Sequence, residues 1–325
     1  MADLSVAIGA QRARNPIFTA SGTYGHGLEM LGFTAVDALG GWVSKTVTLE
    51  PRHGNPTPRL AETEAGLINS IGLENKGIEH YLREILPTLA DVDTLVVTNI
   101  GGHRDEEFAE LARILDARPE VDVLELNLSC PNVDDGKLPL ATDPDRAQRV
   151  VEGVRAATGK PLWAKLSPNV TRIGDMAAAV ERGGADAITA VNTLLGLKLD
   201  WRTGAPGVAT IQGGYSGVGI KPVALRCAWE CARSVEIPVV GVGGIRNADD
   251  VLEFLAAGCS AVQVGTASFS DPTRPGSLAD EVAGRLDAAG IARVTDVIGT
   301  IRDGRAQASS PAPSSTPQSL AAKER

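Results

Sequence analysis

Eight short apolar runs punctuate the chain, at residues 16–20, 41–44, 94–98, 123–126, 161–164, 186–190, 238–242 and 261–264. Each is continuous rather than alternating, which is how a parallel strand covered on both faces reads. Between most of them the apolar positions recur at helical spacing, and this predicts helices over 146–158, 173–182, 223–234 and 248–257. Two of these end in Thr158-Gly159 and Ala257-Gly258, where glycine suits a left-handed helix stop. Strand and helix alternating eight times point to an α/β fold of the (β/α)8 TIM-barrel type rather than an open sheet.

Ligands of such barrels bind at the C-terminal ends of the strands, so the residues that follow each run are the ones to read. They are Ser21-Gly22, Lys45-Thr46, Asn99, Asn127, Lys165, Asn192-Thr193, Gly243-Gly244 and Gly265-Thr266. Strand ends chosen only for stability do not require lysines and asparagines, whereas a binding pocket requires a few convergent polar groups. Two connections are long: Thr46 to Asp93, with Asn55-Pro56-Thr57-Pro58 and Ala65-Gly66-Leu67-Ile68-Asn69-Ser70-Ile71-Gly72, and Leu194 to Lys221, with Gly213-Gly214-Tyr215-Ser216-Gly217. Long insertions on this face are expected to build lids and specificity walls. Residues 304–325 are rich in Ser, Pro, Ala and Gln with almost no large apolar side chain. Such a segment is expected to stay disordered, leaving residues 1–303 as the barrel domain.

A chain of 325 residues with 43% apolar residues and 36 glycines suits one large α/β unit with many strand-to-helix turns. The net charge of −9 argues against nucleic acid or an anionic membrane as the main partner, since both need a clustered basic face. No apolar run approaches the ~20 residues that cross a bilayer, and the N-terminus has no signal-like segment. The expected location is the cytoplasm. Cys130, Cys227, Cys231 and Cys259 have no spacing that suggests a disulfide framework. Cys227 and Cys231 read as two small residues on one helical face, and no metal site is expected.

The glycine pair Gly243-Gly244 after the seventh strand, with Gly265-Thr266 after the eighth, stands where barrels bind phosphate through backbone N–H groups. No Walker-type loop is present, so flavin mononucleotide (FMN) is a better candidate than a nucleoside triphosphate. Lys45 and Lys165 adjoin apolar strands and are placed to stabilise a reduced flavin or an anionic substrate. Asn69, Asn127, Asn132 and Asn192 offer donors and acceptors together, the complement of a pyrimidine edge. Cys130 lies in a loop beside Pro131 with no neighbouring histidine, so it is read as a lone general base rather than half of a nucleophile pair.

These motifs resemble one family. Asn15-Pro16-Ile17-Phe18-Thr19-Ala20-Ser21-Gly22, Ser44-Lys45-Thr46-Val47-Thr48, Asn69-Ser70-Ile71-Gly72-Leu73, Asn127-Leu128-Ser129-Cys130-Pro131-Asn132 and Gly241-Val242-Gly243-Gly244-Ile245 are similar to those of the class 1 dihydroorotate dehydrogenases of pyrimidine biosynthesis. The likeness runs over about residues 4–302. It implies oxidation of (S)-dihydroorotate to orotate, with Cys130 taking the C5 proton while C6 delivers hydride to FMN. It implies FMN contacts at Ser21, Lys45, Thr46, Asn99, Asn127, Lys165, Val191, Gly217, Gly243, Gly244, Gly265 and Thr266. It implies substrate contacts at Lys45, Asn69, Ser70, Ile71, Gly72, Leu73, Asn127, Asn192 and Thr193. Cysteine rather than serine at 130 separates class 1 from the membrane-associated class 2.

Thr193 and the opening Leu4-Ser5-Val6-Ala7 are most similar to the 1B branch. That branch implies a homodimer flanked by subunits carrying FAD and a [2Fe–2S] cluster that pass electrons to NAD+. This chain has no cluster motif or dinucleotide fingerprint of its own, so NAD chemistry requires such a partner. The alternatives are the fumarate-using 1A branch, which typically has serine in place of Thr193, and a dihydropyrimidine dehydrogenase-like reductase acting on an uncharged pyrimidine. A non-catalytic barrel that merely binds phosphate is the third, and it has no need of Cys130 or Lys45.

Overall fold

The computed structural model describes residues 1–30, 32–33, 36–129 and 140–303. Cys130, Pro131 and Asn132, and the 304–325 segment expected to be disordered, lie outside the described residues.

All eight predicted strands form, and they close into one parallel barrel in sequence order: β1 (Ile17–Thr19), β2 (Gly41–Val43), β3 (Leu95–Ile100), β4 (Val123–Asn127), β5 (Leu162–Leu166), β6 (Ala187–Ala190), β7 (Val239–Val242) and β8 (Ala261–Val264). Every residue of β2, β4, β5, β6, β7 and β8 is buried. That is why these strands read as unbroken apolar runs: helices cover the outer face and side chains fill the inner one. Phe18 of β1 meets Trp163 of β5 across the barrel, ring centroids 5.6 Å apart, and forms its apolar floor. Side chains two positions further along these strands share the inner face, so Lys165 rises directly above Trp163.

The outer helices are α1 (Asp105–Asp116), α2 (Pro144–Arg155), α3 (Ile173–Arg182), α4 (Lys221–Ala232), α5 (Ala248–Ala256) and α6 (Arg274–Ala288). Asp143 and Asn247 cap α2 and α5 by accepting the backbone N–H of Arg146 and Asp250. Gly258 follows α5 at φ +113°, as its helix stop requires. Gly159 does not play that part. Helix α2 ends at Arg155, three residues before the predicted end, and the Asp116 carboxylate organises the turn beyond by accepting from Thr158 Oγ1 (2.6 Å) and Gly159 N (2.8 Å). Cys227 and Cys231 are both buried on α4, as small core residues.

The two long insertions build a single structure above the barrel. Strands Leu60–Thr63 and Gly66–Asn69 from the first join Leu194–Leu197 and Gln212–Ser216 from the second in a four-stranded antiparallel sheet. The sheet stands at the C-terminal mouth of the barrel and forms one wall of the space there. Among the described residues no helix is long and apolar enough to cross a membrane.

Candidate active site

A cavity of about 1240 Å³ opens between the C-terminal strand ends and the antiparallel sheet. Ser21, Lys45, Thr46, Asn127, Lys165, Val191, Gly217, Gly243, Gly244, Gly265 and Thr266 all line it, and so do Asn69, Ser70, Ile71, Gly72, Leu73, Asn192 and Thr193. Of the predicted site residues within the described chain, Asn99 alone falls outside this lining. It is fully buried behind the wall, where its Nδ2 donates to Glu125 Oε1 at 2.7 Å. Asn99 is the fifth of six residues in β3, and its side chain is engaged by the buried Glu125 carboxylate of the neighbouring strand.

Asn127, Asn192 and Ser129 form one linked group. Asn192 Nδ2 donates to Asn127 Oδ1 at 3.3 Å and to Ser129 Oγ, and Ser129 Oγ donates to the same Asn127 oxygen at 2.5 Å. Asn127 Nδ2 lies 3.5 Å from Thr46 Oγ1. The ends of β2, β4 and β6 are thereby held in fixed relation, with amide groups facing the cavity.

The two lysines differ in setting. Lys165 is 3% exposed, and its Nζ donates to Gln263 Oε1 at 3.1 Å and to Ser21 Oγ at 3.4 Å. Lys45 is half-buried, and burial pushes its pKa down, with the carboxylate of Glu74 partly opposing that shift. A desolvated ammonium of this kind gains more from a bound anion than one in water does.

On the far side, glycine lets backbone segments approach closely. Gly244 has φ +77°, and a Cβ there would stand 2.7 Å from Lys221 Cβ and 3.0 Å from the Gly217 carbonyl oxygen. Gly66 and Gly217 meet where the two insertions touch; a Cβ on Gly66 would fall 1.8 Å from the Ser216 oxygen. Thr266 Oγ1 donates to Ser216 Oγ at 2.8 Å and joins the end of β8 to the sheet.

Several side chains at and beneath the cavity were not anticipated from sequence. Ser129 completes the asparagine group. Ser167 and Asn169 line the cavity, and Asn169 Nδ2 donates to the Thr193 carbonyl at 3.1 Å while its Oδ1 accepts from Leu195 N at 2.8 Å. Reading four residues past Lys165 instead of stopping at it finds both. Glu125, Thr189 and Gln263 inside the barrel carried no such signal, because each lies within an apolar run.

The comparisons agree with this architecture. The sequence model described as dihydroorotate dehydrogenase matches residues 3–286. A protein of Trichlorobacter lovleyi named dihydroorotate dehydrogenase B (NAD(+)), catalytic subunit is 48% identical over 298 residues, 92% of this chain and 98% of that protein. A protein of Bacteroides thetaiotaomicron with the same name is 43% identical over 301 residues, 93% of this chain and 99% of that one. A crystal structure of DHODH from Eimeria tenella in complex with ferulenol superposes with a TM-score of 0.75 at 22% identity, covering 92% of this chain and 88% of that one, which bears on the fold alone. With a family match over most of its length, two relatives above 40% identity and a closed barrel bearing the motifs at its strand ends, the chain belongs to the dihydroorotate dehydrogenase family.

Proposed function

We propose that the cavity holds FMN and dihydroorotate together and that the chain oxidises dihydroorotate to orotate, a step of pyrimidine biosynthesis. The observation that carries this reading is convergence: Lys45, Lys165, Asn69, Asn127 and Asn192 face one space of about 1240 Å³ whose opposite side is backed by Gly243, Gly244 and Gly265. Single-ligand pockets run to about 1,000 Å³, so there is room for a cofactor and a small substrate.

The residues present fit FMN. Close-packed backbone at Gly244 and the Thr266 hydroxyl suit a phosphate end, and the Lys165 ammonium at the other end suits an electron-rich ring. Ser21, Thr46, Asn127, Val191, Gly217 and Gly243 complete that set, with Asn99 holding it from behind. Bound FMN supplies a hydride acceptor for C6 of the substrate. Cys130 takes the C5 proton. Loss of that proton builds negative charge on the neighbouring carbonyl, which the Asn127 and Asn192 amides stabilise more in the transition state than in the ground state. Lys45 pairs with the substrate carboxylate, and Asn69, Ser70, Ile71, Gly72, Leu73 and Thr193 enclose the ring. The carboxylate also favours this substrate over an uncharged pyrimidine, since an anion beside Lys45 offsets the burial that disfavours its ammonium.

The anaerobic absorbance spectrum of the purified chain tests this directly. A bound flavin that bleaches on adding dihydroorotate supports the reading; a flavin untouched by dihydroorotate but reduced by other donors overturns it.

For the electron acceptor, we infer NAD+, reached through a partner subunit carrying FAD and a [2Fe–2S] cluster, with this chain as the homodimeric centre of a heterotetramer. The names of the relatives, which specify NAD(+) and a catalytic subunit, support this, as does Thr193. Reoxidation of the bleached flavin by fumarate alone would move the chain to the 1A branch.

A further inference from the structure

Directly beneath the cavity lies a carboxylate for which the reading above has no use. Glu125 projects from β4 into the barrel with no exposed surface. Its Oε1 accepts from Asn99 Nδ2 at 2.7 Å; its Oε2 accepts from Thr189 Oγ1 at 2.8 Å and from Gln263 Nε2 at 2.6 Å. Lys165 Nζ stands 3.7 Å from Glu125 Oε1, with the amide oxygen of Gln263 accepting from the same ammonium at 3.1 Å. Side chains from β3, β4, β5, β6 and β8 meet in this single layer.

Stability does not call for this arrangement. Burying a carboxylate and an ammonium is costly before they pair, and apolar side chains of similar volume are often at least as stable. The layer below, Phe18 against Trp163, is apolar, so the barrel fills its interior with hydrocarbon where nothing else is needed. What distinguishes the upper layer is that its lysine reaches the cavity, lying against Ser21 on the cavity wall and against Glu125 below.

We propose that Glu125 is a positioning residue that holds the Lys165 ammonium at the cavity floor and offsets part of its charge, thereby setting the reduction potential of the bound flavin. The inference rests on the reading that Lys165 faces FMN. A cation beside a flavin favours its electron-rich reduced form. A carboxylate 3.7 Å behind that cation, in a region shut off from water, weakens the effect without cancelling it. Asn99 and Thr189, which do not themselves line the cavity, donate to the carboxylate and keep it in place.

The test is the midpoint potential of the flavin in the unaltered chain and in Glu125→Gln, measured by anaerobic dye-coupled titration. The expected result is an upward shift in the variant, because the Lys165 charge is no longer offset; an unchanged or lowered potential overturns the proposal. If Glu125→Gln does not fold, the double variant Glu125→Gln/Lys165→Met decides. Recovery of the folded state means that neutralising Lys165 is what Glu125 does, and failure of the double variant as well means that its role is structural and the proposal is wrong. An unaltered chain that binds no flavin would overturn the reading of the site, and this inference with it. A flavin whose potential ignores Glu125 overturns the inference alone.

Discussion

Asn69 Nδ2 donates to the carbonyl oxygen of Gly214 at 3.1 Å, and this bond joins two insertions that lie 145 positions apart in the chain. The two residues are register partners in the antiparallel sheet, so one side chain both ties the insertions together and makes a proposed substrate contact. Asn69→Ala removes that bond and that contact. The expected outcome is a KM for dihydroorotate raised about tenfold or more, equivalent to about 1.4 kcal/mol, with FMN affinity unchanged. Steady-state kinetics together with flavin titration of the apoprotein check it.

Lys45 carries a pH signature. Its folded pKa lies below the ordinary 10.5 because burial disfavours the ammonium. The unfolded chain therefore binds more protons than the folded one between those two values, and stability rises with pH across that window. The cost of the buried charge is fully present below the folded pKa. Lys45→Met is expected to be at least as stable as the unaltered chain at pH 7, with its advantage shrinking as the pH approaches 10.5. Urea denaturation at a series of pH values reads this out. Orotate binding should weaken as the pH rises through the same window in the unaltered chain, and should be weak and pH-independent in the variant.

Gly244→Ala tests the close-packed backbone after β7. The new Cβ would press on Lys221 Cβ at 2.7 Å, and the residue would have to keep φ at +77°. Strain in such a conformation and crowding of this kind each cost about 1–3 kcal/mol. We expect a lowered thermal midpoint and a loss of FMN affinity greater than the loss of affinity for orotate, as measured by calorimetry on the two ligands separately.

Cys130→Ala should bind FMN as the unaltered chain does yet fail to bleach on adding dihydroorotate, because hydride leaves C6 only as the C5 proton is taken up. Cys130→Ser should retain a slow reduction that quickens with rising pH, since a hydroxyl is a far weaker base than a thiolate. Stopped-flow flavin reduction separates these outcomes, and near-normal reduction by the alanine variant would remove Cys130 from the mechanism.

The amino-acid sequence by itself determined the barrel and most of the rim of its cavity. Both follow from local rules: a strand covered on two faces must be apolar throughout, as at Val239–Val242 and Ala261–Val264, and the residue after it must emerge at the barrel mouth, as Lys45 and Asn192 do. Helix α3 falls on the predicted residues for the same reason, its apolar face repeating at helical spacing. Tertiary structure alone decided what depends on distant partners. The half-exposed, glycine-rich segment Gln212–Ser216 becomes a strand because Leu194–Leu197 and Gly66–Asn69 pair with its two edges. Gly159 is released from a left-handed stop because Asp116, on another helix, satisfies its N–H. Glu125, Thr189 and Gln263 look like interruptions of apolar runs until barrel closure brings them together around Lys165. A buried charge takes its meaning from the groups that solvate it, and these come from strands that only the closed fold brings within reach.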